Sequence, residues 1–373
     1  MNHRVLLLSG YDAASHQRWR KGLAEHLSEF DFTQLALPPR HFSWRIRGNS
    51  LSFAGLHRET LEADYDVLLA TSMVDLSALR GMVPALARLP TVLYFHENQF
   101  SYPKSRTAYA SVEPQIVTLY SALCADRLVF NTAFNHDSFF TGAEQLLRKL
   151  PDLVPAGIIK QLQSRASVIP VLLEDTCFLP REAVPKCNGR AQLIWNHRWE
   201  YDKNPALLLR ALQLLCAEYG AELPFTLHVV GQSFRQVPVE FAAIKQLLSD
   251  AGGLGQWGYL SGTEYRQLLA SCDLVLSSAN HDFQGLSVLE AVAAGAVPVV
   301  PNHQAYPEWF GASACYPLSG ELNADAEAFA TAIKARLDPI KRPATVDLSA
   351  LQWAAGGSQY QQLLRELSAL HRH

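Results

Sequence analysis

Residues 281–291 read HDFQGLSVLEA, and an apolar segment, AGAVPVV, completes this stretch at residues 294–300. Two acids eight residues apart, Asp282 and Glu290, bracket a glycine-containing turn that opens a helix. Backbone N–H groups at the start of a helix form an anion site. Glu290 lies about one helical turn further along, where its carboxylate can chelate a vicinal diol. This pattern predicts a binding site for a nucleotide-activated sugar.

Length and composition predict a two-domain globular protein. The chain has 373 residues, more than one ordinary core supports. Hydrophobic residues make up 49% and charged residues 18% of it, which argues against disorder. The net charge of −3 indicates neither nucleic acid nor a membrane as a general partner. Residues 1–58, however, carry eight Lys or Arg against four acids, and this basic region favours a local anionic partner.

Cysteine usage and the absence of targeting patterns predict a cytoplasmic protein. The six cysteines are scattered, with no CxxC pair, as is typical of reduced thiols. We find no secretory signal pattern and no apolar run of the roughly 18 residues that a membrane span needs. Neither HExxH nor a cluster of Cys and His occurs. We therefore expect no protein-bound metal and no cofactor.

Short apolar segments alternate with helical patterns along the chain. The apolar segments are continuous and cover residues 5–8, 66–70, 91–95, 127–130, 192–195, 225–230 and 273–277. The helical patterns cover residues 15–27, 111–124, 205–218, 238–248 and 264–271. Continuous apolar strands separated by helices predict parallel sheets covered on both faces, hence an α/β fold class.

One polar segment, residues 178–190, contains two prolines and a glycine and predicts the interdomain linker. We therefore expect Rossmann-like domains over residues 1–180 and 191–345. Residues 346–373 predict a helical segment that crosses back to the first domain. Two doubly wound parallel-sheet domains facing across a cleft should bind ligands at the carboxyl ends of their strands.

A second stretch with functional character, WNHRWEYDKNP, covers residues 195–205. A strand ends here, a loop follows, and Pro205 opens a helix. Arg198 and Lys203 lie in the loop, at the carboxyl edge of the sheet. Two cations near a helix N-terminus suit a diphosphate. The alternative is a solvated loop with incidental charges.

The order of these features resembles that of retaining glycosyltransferases of the GT-B fold, family 4 type. The features are Arg198 with Lys203, the strand ends at 230–231 and 277–278, Gly258, and Asp282 with Glu290. The resemblance implies that Arg198 and Lys203 neutralise the donor diphosphate and that Glu290 holds the ribose hydroxyls. It also implies that Asp282 contacts the sugar, although Glu is usual at that position. We expect further donor contacts from Gln284, Gly285, Leu286, Gly231, Ser278 and Gly10.

A narrower resemblance covers nearly the whole chain. Residues 9–16, 37–45, 93–103, 130–135 and 195–200 are similar to the tRNA-queuosine α-mannosyltransferase family, and the segment HENQ at 96–99 is the sharpest marker. The resemblance implies transfer of mannose from GDP-mannose to the cyclopentenediol of queuosine in the tRNA anticodon loop. The partners would then be a queuosine-containing tRNA and a nucleotide sugar, with no membrane and no obligatory protein partner.

The first half then becomes the acceptor-binding domain and the second half the nucleotide-sugar-binding domain. The family-4 pattern implies that His96 hydrogen-bonds a sugar hydroxyl, which adds it to the catalytic residues Arg198, Lys203 and Asp282. We expect acceptor contacts from Glu97, Asn98 and His16. We also expect an exposed loop after the Pro-Pro pair at 38–39 to grip RNA through Arg40, Trp44, Arg45 and Arg47.

Two other functions stay open at this point. A retaining transferase of the same type could act on a small-molecule, lipid or polysaccharide acceptor, and a chain with this fold could bind nucleotide sugars without catalysis. The basic charge of residues 1–58 favours RNA. No nucleophile is evident, so we expect front-face attack, with Arg198 and Lys203 stabilising the leaving diphosphate. Replacing either with Ala should reduce turnover with little effect on folding.

Overall fold

The computed structural model describes residues 2–102, 111–150, 152–178, 189–220 and 222–370. It divides into two compact units. The first comprises Met1–Leu172 together with Trp353–His373, and the second comprises Leu173–Gln352. Of the linker predicted at 178–190, residues 179–188 lie outside the described residues.

The first unit contains a parallel sheet with the strand order β2-β1-β3-β4-β5-β6. Its strands are β1 (His3–Ser9), β2 (Phe30–Ala36), β3 (Val67–Thr71), β4 (Thr91–Phe95), β5 (Arg127–Phe130) and β6 (Ala166–Val168). The helices that follow them are α1 (Ala14–His26), α2 (Phe42–Leu56), α3 (Arg58–Leu61), α4 (Leu76–Met82), α5 (Glu113–Leu123), α6 (Ala133–Lys149) and α7 (Ile158–Gln163).

The central strands of this sheet are the ones that the apolar segments predicted. Every residue of β3 and β4 is buried, as a parallel sheet covered on both faces requires. The edge strand β2 was not predicted from the sequence. It reads FDFTQLA and stays partly exposed over most of its length, so it lacks the continuous apolar run of a central strand.

The second unit contains a parallel sheet with the strand order β11-β10-β7-β8-β9. Its strands are β7 (Ala191–Trp195), β8 (Phe225–Val230), β9 (Leu254–Gly258), β10 (Leu274–Leu276) and β11 (Val297–Val299). Its helices are α8 (Pro205–Tyr219), α9 (Glu240–Asp250), α10 (Gly262–Ser271), α11 (Leu286–Ala293), α12 (Tyr306–Phe310) and α13 (Leu322–Leu337). The strand order reverses between β7 and β10, and such a switch point is where doubly wound sheets bind ligands.

The last helix, α14 (Trp353–Leu370), belongs to the first unit. The ring of Trp353 lies so close to α1 that a Cβ atom added to Gly22 would come within 2.3 Å of it. Tyr360 is buried, and its hydroxyl accepts a hydrogen bond from Trp19 Nε1 at 3.1 Å and lies 3.0 Å from the hydroxyl of Tyr94. The helix is therefore tied to both α1 and β4. Across the described ranges, we find no helix long and apolar enough to cross a membrane.

Replacing Tyr360 with Phe should destabilise the first unit. The buried indole N–H of Trp19 loses its acceptor, and an unsatisfied buried donor costs about 1–3 kcal/mol. Urea unfolding followed by tryptophan fluorescence measures the change. The matched control is Tyr120→Phe on α5, because Tyr120 is exposed and its replacement should change the free energy of unfolding by less than about 0.5 kcal/mol. Equal unfolding midpoints for the two variants would contradict the role of this hydroxyl.

Candidate active site

The two motif loops of the second unit meet at the switch point between β7 and β10. Trp195, the last residue of β7, donates from Nε1 to Ser278 Oγ at 3.0 Å, just beyond the end of β10. Ser278 Oγ in turn donates to the carbonyl oxygen of Lys203 at 2.8 Å. The backbone N–H of Asn280 donates to the carbonyl oxygen of Asp202 at 2.9 Å. The loops that contain Lys203 and Asp282 therefore form one site.

Lys203 is the buried centre of this site. Its Nζ donates to the carbonyl oxygen of His281 at 2.5 Å and to Asp282 Oδ1 at 2.9 Å, and it lies 3.2 Å from Asp202 Oδ2. Burial alone would lower the pKa of Lys203, but the charges of Asp282 and Asp202 outweigh burial and raise it. The three protons of the ammonium group thus have acceptors within the unit. These contacts favour a role of Lys203 in stability, whereas the sequence predicted that its replacement has little effect on folding.

Asp282 is held as a carboxylate by its neighbours. Burial would raise its pKa, yet the charge of Lys203 and a hydrogen bond from Tyr306 lower it to about 2. The hydroxyl of Tyr306 donates to Asp282 Oδ2 at 2.6 Å and lies 2.9 Å from Ser277 Oγ. His197 is buried beside this carboxylate, and burial lowers the pKa of its imidazole to about 4. At neutral pH the site therefore contains a neutral imidazole next to an ionised carboxylate.

Arg198 differs from Lys203 in exposure. Its side chain is 43% exposed, with Nη1 2.7 Å from Glu200 Oε2 and Nη2 3.8 Å from Asp202 Oδ2. An exposed ion pair of this kind is worth about 0–1 kcal/mol. An anionic ligand can therefore displace Glu200 at small cost, which fits the role expected for Arg198.

The turn that opens α11 has the geometry that the sequence indicated. Gly285 precedes the helix in the left-handed conformation, with φ of +77°, and a Cβ atom there would come within 2.8 Å of the ring of Tyr306. Gln284 is buried beside it, and Leu286 is the first residue of the helix. Glu290 lies one turn in, is buried, and accepts a hydrogen bond from Tyr265 at 3.1 Å.

Two of the predicted donor contacts in this unit have structural roles. Ser278 is buried, and its hydroxyl donates its proton to the carbonyl oxygen of Lys203. It therefore has no proton to donate to a ligand. Gly231 ends β8 where the loop after β7 passes over it. A Cβ atom on Gly231 would come within 1.9 Å of the carbonyl oxygen of His197, so only glycine allows this approach.

In the first unit, two buried imidazoles lie at the carboxyl end of the sheet. The rings of His16, on α1, and His96, just after β4, are 4.0 Å apart between centroids. Burial, followed by the proximity of His16, holds the pKa of His96 well below its usual range. Nε2 of His16 lies 3.5 Å from Glu97 Oε1. Gly10, at the end of β1, allows close approach of the segment after β3, since a Cβ atom there would be 3.1 Å from the backbone of Met73.

Asn98 does not offer a contact to an acceptor. It is fully buried and donates to Asn135 Oδ1 at 2.8 Å and to Ser138 Oγ at 2.9 Å, while its Oδ1 accepts from the backbone N–H groups of Phe100 and Ser101. Asn131 adds a bond to the carbonyl oxygen of His96 at 2.9 Å. These asparagines fix the loop that contains His96 and Glu97. Residues 130–135 are among the segments that resemble the family, but their spacing did not predict that Asn131 and Asn135 hold the loop after β4.

The expected RNA-binding loop is instead the start of a helix. α2 begins at Phe42, so residues 42–56 are helical. Arg45 is buried within it. Arg47 donates to Glu113 Oε1 at 3.0 Å and to Asp75 Oδ2 at 3.1 Å, and these two hydrogen bonds raise the pKa of its guanidinium. The expectation of an exposed loop is therefore wrong, and Arg47 ties α2 to α4 and α5.

Arg40 and Trp44 remain at the surface of the first unit. The side chain of Trp44 is 55% exposed, and Arg40 is exposed just before the helix. The ring of Trp44 lies against Gly48, where a Cβ atom would come within 2.2 Å of it. Glycine one turn further along thus allows this close contact, while more than half of the surface of Trp44 stays exposed.

The chain matches two protein families, one in each half. Residues 181–342 match "Glycosyl transferases group 1", and residues 4–173 match "tRNA-queuosine alpha-mannosyltransferase N-terminal". A curated tRNA-queuosine alpha-mannosyltransferase of Drosophila melanogaster is 32% identical over 325 residues, which cover 85% of this chain and 84% of that relative.

Solved structures share the fold of this chain at low sequence identity. A sucrose-phosphate synthase from Thermosynechococcus elongatus has a TM-score of 0.69 at 17% identity over 99% of this chain and 100% of its own. HepE from Anabaena, solved in complex with UDP, has a TM-score of 0.63 at 15% identity over the same shares of the two chains. At these identities the likeness shows the fold alone.

The fold, the paired motif loops and the group 1 match define a glycosyltransferase of the GT-B class. The enzyme class and the two parallel-sheet α/β domains expected from the sequence are thereby confirmed. More narrowly, the chain belongs to the tRNA-queuosine alpha-mannosyltransferase family, as the resemblance implied.

Lys203→Ala and Arg198→Ala should differ in stability. Removing Lys203 leaves Asp202 and Asp282 buried without their cation, and breaking a buried pair in this way costs about 3–5 kcal/mol. Arg198→Ala removes an exposed pair and should leave the thermal midpoint nearly unchanged. Differential scanning calorimetry of both variants measures this. Lys334→Ala, which removes an exposed pair with Glu218, is the matched control. A midpoint for Lys203→Ala equal to that of the control would show that the buried network is not needed for folding.

Proposed function

We propose that this enzyme transfers mannose from GDP-mannose to the cyclopentenediol of queuosine in tRNA, with retention of configuration at the sugar. The observation that carries the proposal is the match of both halves of the chain to one curated relative, including the N-terminal region that bears the tRNA-queuosine name. The nucleotide sugar acts as co-substrate, and we propose no further cofactor. A tRNA acceptor also favours a cytoplasmic location.

On the donor side, the second unit supplies charge and hydrogen bonds. Arg198 neutralises the diphosphate by exchanging Glu200 for it, and the first turn of α11 adds backbone N–H groups. Glu290 accepts from the ribose hydroxyls. Asp282, kept ionised by Lys203, accepts from a sugar hydroxyl. Lys203 thus acts on the donor mainly through Asp282.

We propose the following course for the reaction. A hydroxyl of the cyclopentenediol forms a bond to C1 of mannose on the face from which GDP departs, and the bond from C1 to the diphosphate oxygen breaks. The hydroxyl proton passes to the departing diphosphate, so no protein base is required. Catalysis consists of positioning and of stabilising the charge that develops on the leaving group.

On the acceptor side, the first unit offers a polar cluster and a stacking surface. We assign His96 to a sugar hydroxyl, as the resemblance implies, and His16 with Glu97 to the acceptor diol, since an imidazole and a carboxylate can exchange hydrogen bonds with two hydroxyls. Trp44 and Arg40 contact the RNA. Arg45, which is buried, and Arg47, which is ion-paired, are left out of the phosphate contacts.

Incubation with GDP-mannose should add one hexose to queuosine in tRNA. The products are read by mass spectrometry of nuclease-digested tRNA, with tRNA from cells unable to make queuosine as the negative control. Arg198→Ala should reduce turnover by about 10²–10³, the usual loss when one preorganised donor to a developing anion is removed. Lys334→Ala should behave as the wild type. Release of GDP with no change in tRNA mass would indicate a small-molecule, lipid or polysaccharide acceptor instead.

Trp44→Ala should weaken tRNA binding and leave GDP binding unchanged. A base stacked on an aromatic ring is worth about 1–3 kcal/mol, and the exposed indole of Trp44 suits a splayed base. If Arg40 neutralises one phosphate, Arg40→Ala should change the slope of the logarithm of the tRNA binding constant against the logarithm of salt concentration. The slope should become shallower by about 0.7. Filter binding at several salt concentrations measures both. Tyr120→Ala, which removes an aromatic of similar exposure on α5, should bind tRNA normally. Equal losses for Trp44→Ala and Tyr120→Ala would place the RNA elsewhere.

A further inference from the structure

Three polar side chains from different elements form a hydrogen-bonded series beside the turn that opens α11. Asn196 follows β7, Tyr265 is on α10, and Glu290 is on α11. Asn196 and Glu290 are 6% and 5% exposed. The side-chain amide of Asn196 donates from Nδ2 to the hydroxyl of Tyr265 at 2.9 Å, and that hydroxyl donates to Glu290 Oε2 at 3.1 Å.

The direction of these hydrogen bonds is fixed by a fourth group. Nδ2 of Asn196 also donates to the backbone carbonyl oxygen of Ser287 at 2.6 Å, and a carbonyl oxygen can only accept. The amide nitrogen must therefore face Ser287 and Tyr265. Tyr265 accepts from it and directs its single proton to Glu290. The carboxylate is held in one orientation before any ligand arrives.

The side-chain oxygen of Asn196 makes none of these hydrogen bonds. Oδ1 of Asn196 is buried and has no hydrogen-bond partner among the described residues. A buried acceptor without a donor costs free energy, and such groups are rare in folded proteins. The contacts that join these elements use only Nδ2 of Asn196. A purely structural role therefore does not account for the buried acceptor Oδ1.

We propose that Asn196 and Tyr265 make the site selective for the ribose diol of the nucleotide. Tyr265 is a positioning residue that orients Glu290, and Asn196 Oδ1 accepts a hydrogen bond from a ribose hydroxyl. This inference rests on the proposed function, in which Glu290 holds the ribose. A nucleotide without ribose hydroxyls leaves Asn196 Oδ1 buried without a donor, and sites built around such hydrogen bonds reject analogues that lack the donor.

Calorimetric titrations of GDP and of 2′,3′-dideoxy-GDP test this selectivity. Wild-type protein should bind GDP at least about tenfold more tightly than the dideoxy analogue, because more than one hydrogen bond is lost. Tyr265→Phe and Asn196→Ala should each weaken GDP binding by about 3–10-fold and leave dideoxy-GDP binding nearly unchanged. The ratio of the two Kd values should therefore shrink in both variants. Tyr219→Phe, at the C-terminal end of α8, is the matched control and should keep the wild-type ratio.

The ratio separates recognition from a structural role. If Tyr265 and Asn196 only stabilise the fold, both nucleotides weaken equally and the ratio stays at the wild-type value, which overturns this proposal but leaves the donor assignment intact. Failure of the wild-type protein to bind GDP would instead overturn the donor assignment, and this proposal with it. Thermal midpoints of all variants confirm that folded proteins are compared.

Discussion

The buried ammonium group of Lys203 is the interaction on which the candidate site depends. It bonds to the loop after β7 through Asp202 and to the loop after β10 through His281 and Asp282. Two carboxylates could not lie so near each other in a buried position without a cation between them. Lys203 therefore both joins the loops and keeps Asp282 ionised. Arg198 is 43% exposed, and its short ion pair is with Glu200, so it can respond to a ligand more readily than Lys203.

The central strands and the meeting of the two motif loops could be predicted from the sequence. Continuous apolar strands mark parallel sheets, and the carboxyl ends of neighbouring strands meet at one edge, so Lys203 and Asp282 had to be close. The partners of these residues could not be predicted. Tyr306 and Tyr265 come from other segments, and nothing in the spacing shows which carboxylate each hydroxyl reaches.

The basic region near the N-terminus shows the limit of composition as a guide. A cluster of arginines after two prolines indicated an exposed loop, but the prolines precede a helix rather than interrupt one. Whether an arginine on that helix faces solvent or a carboxylate depends on which helices pack beside it. Arg47 forms ion pairs with Asp75, just before α4, and with Glu113 on α5. Such tertiary contacts cannot be predicted from a count of charges.

The position of α14 has a consequence for how the chain folds as it is synthesised. The first unit lacks α14 until Trp353–Leu370 leave the ribosome, after all of Leu173–Gln352 has been made. Until then Trp19 and Gly22 on α1 present the apolar surface that Trp353 and Tyr360 later cover. The second unit is continuous in sequence and can fold while the first waits. Completion of the N-terminal unit is thus tied to translation through α14, and a product that stops before Trp353 carries an uncovered apolar face that chaperones and proteases can recognise.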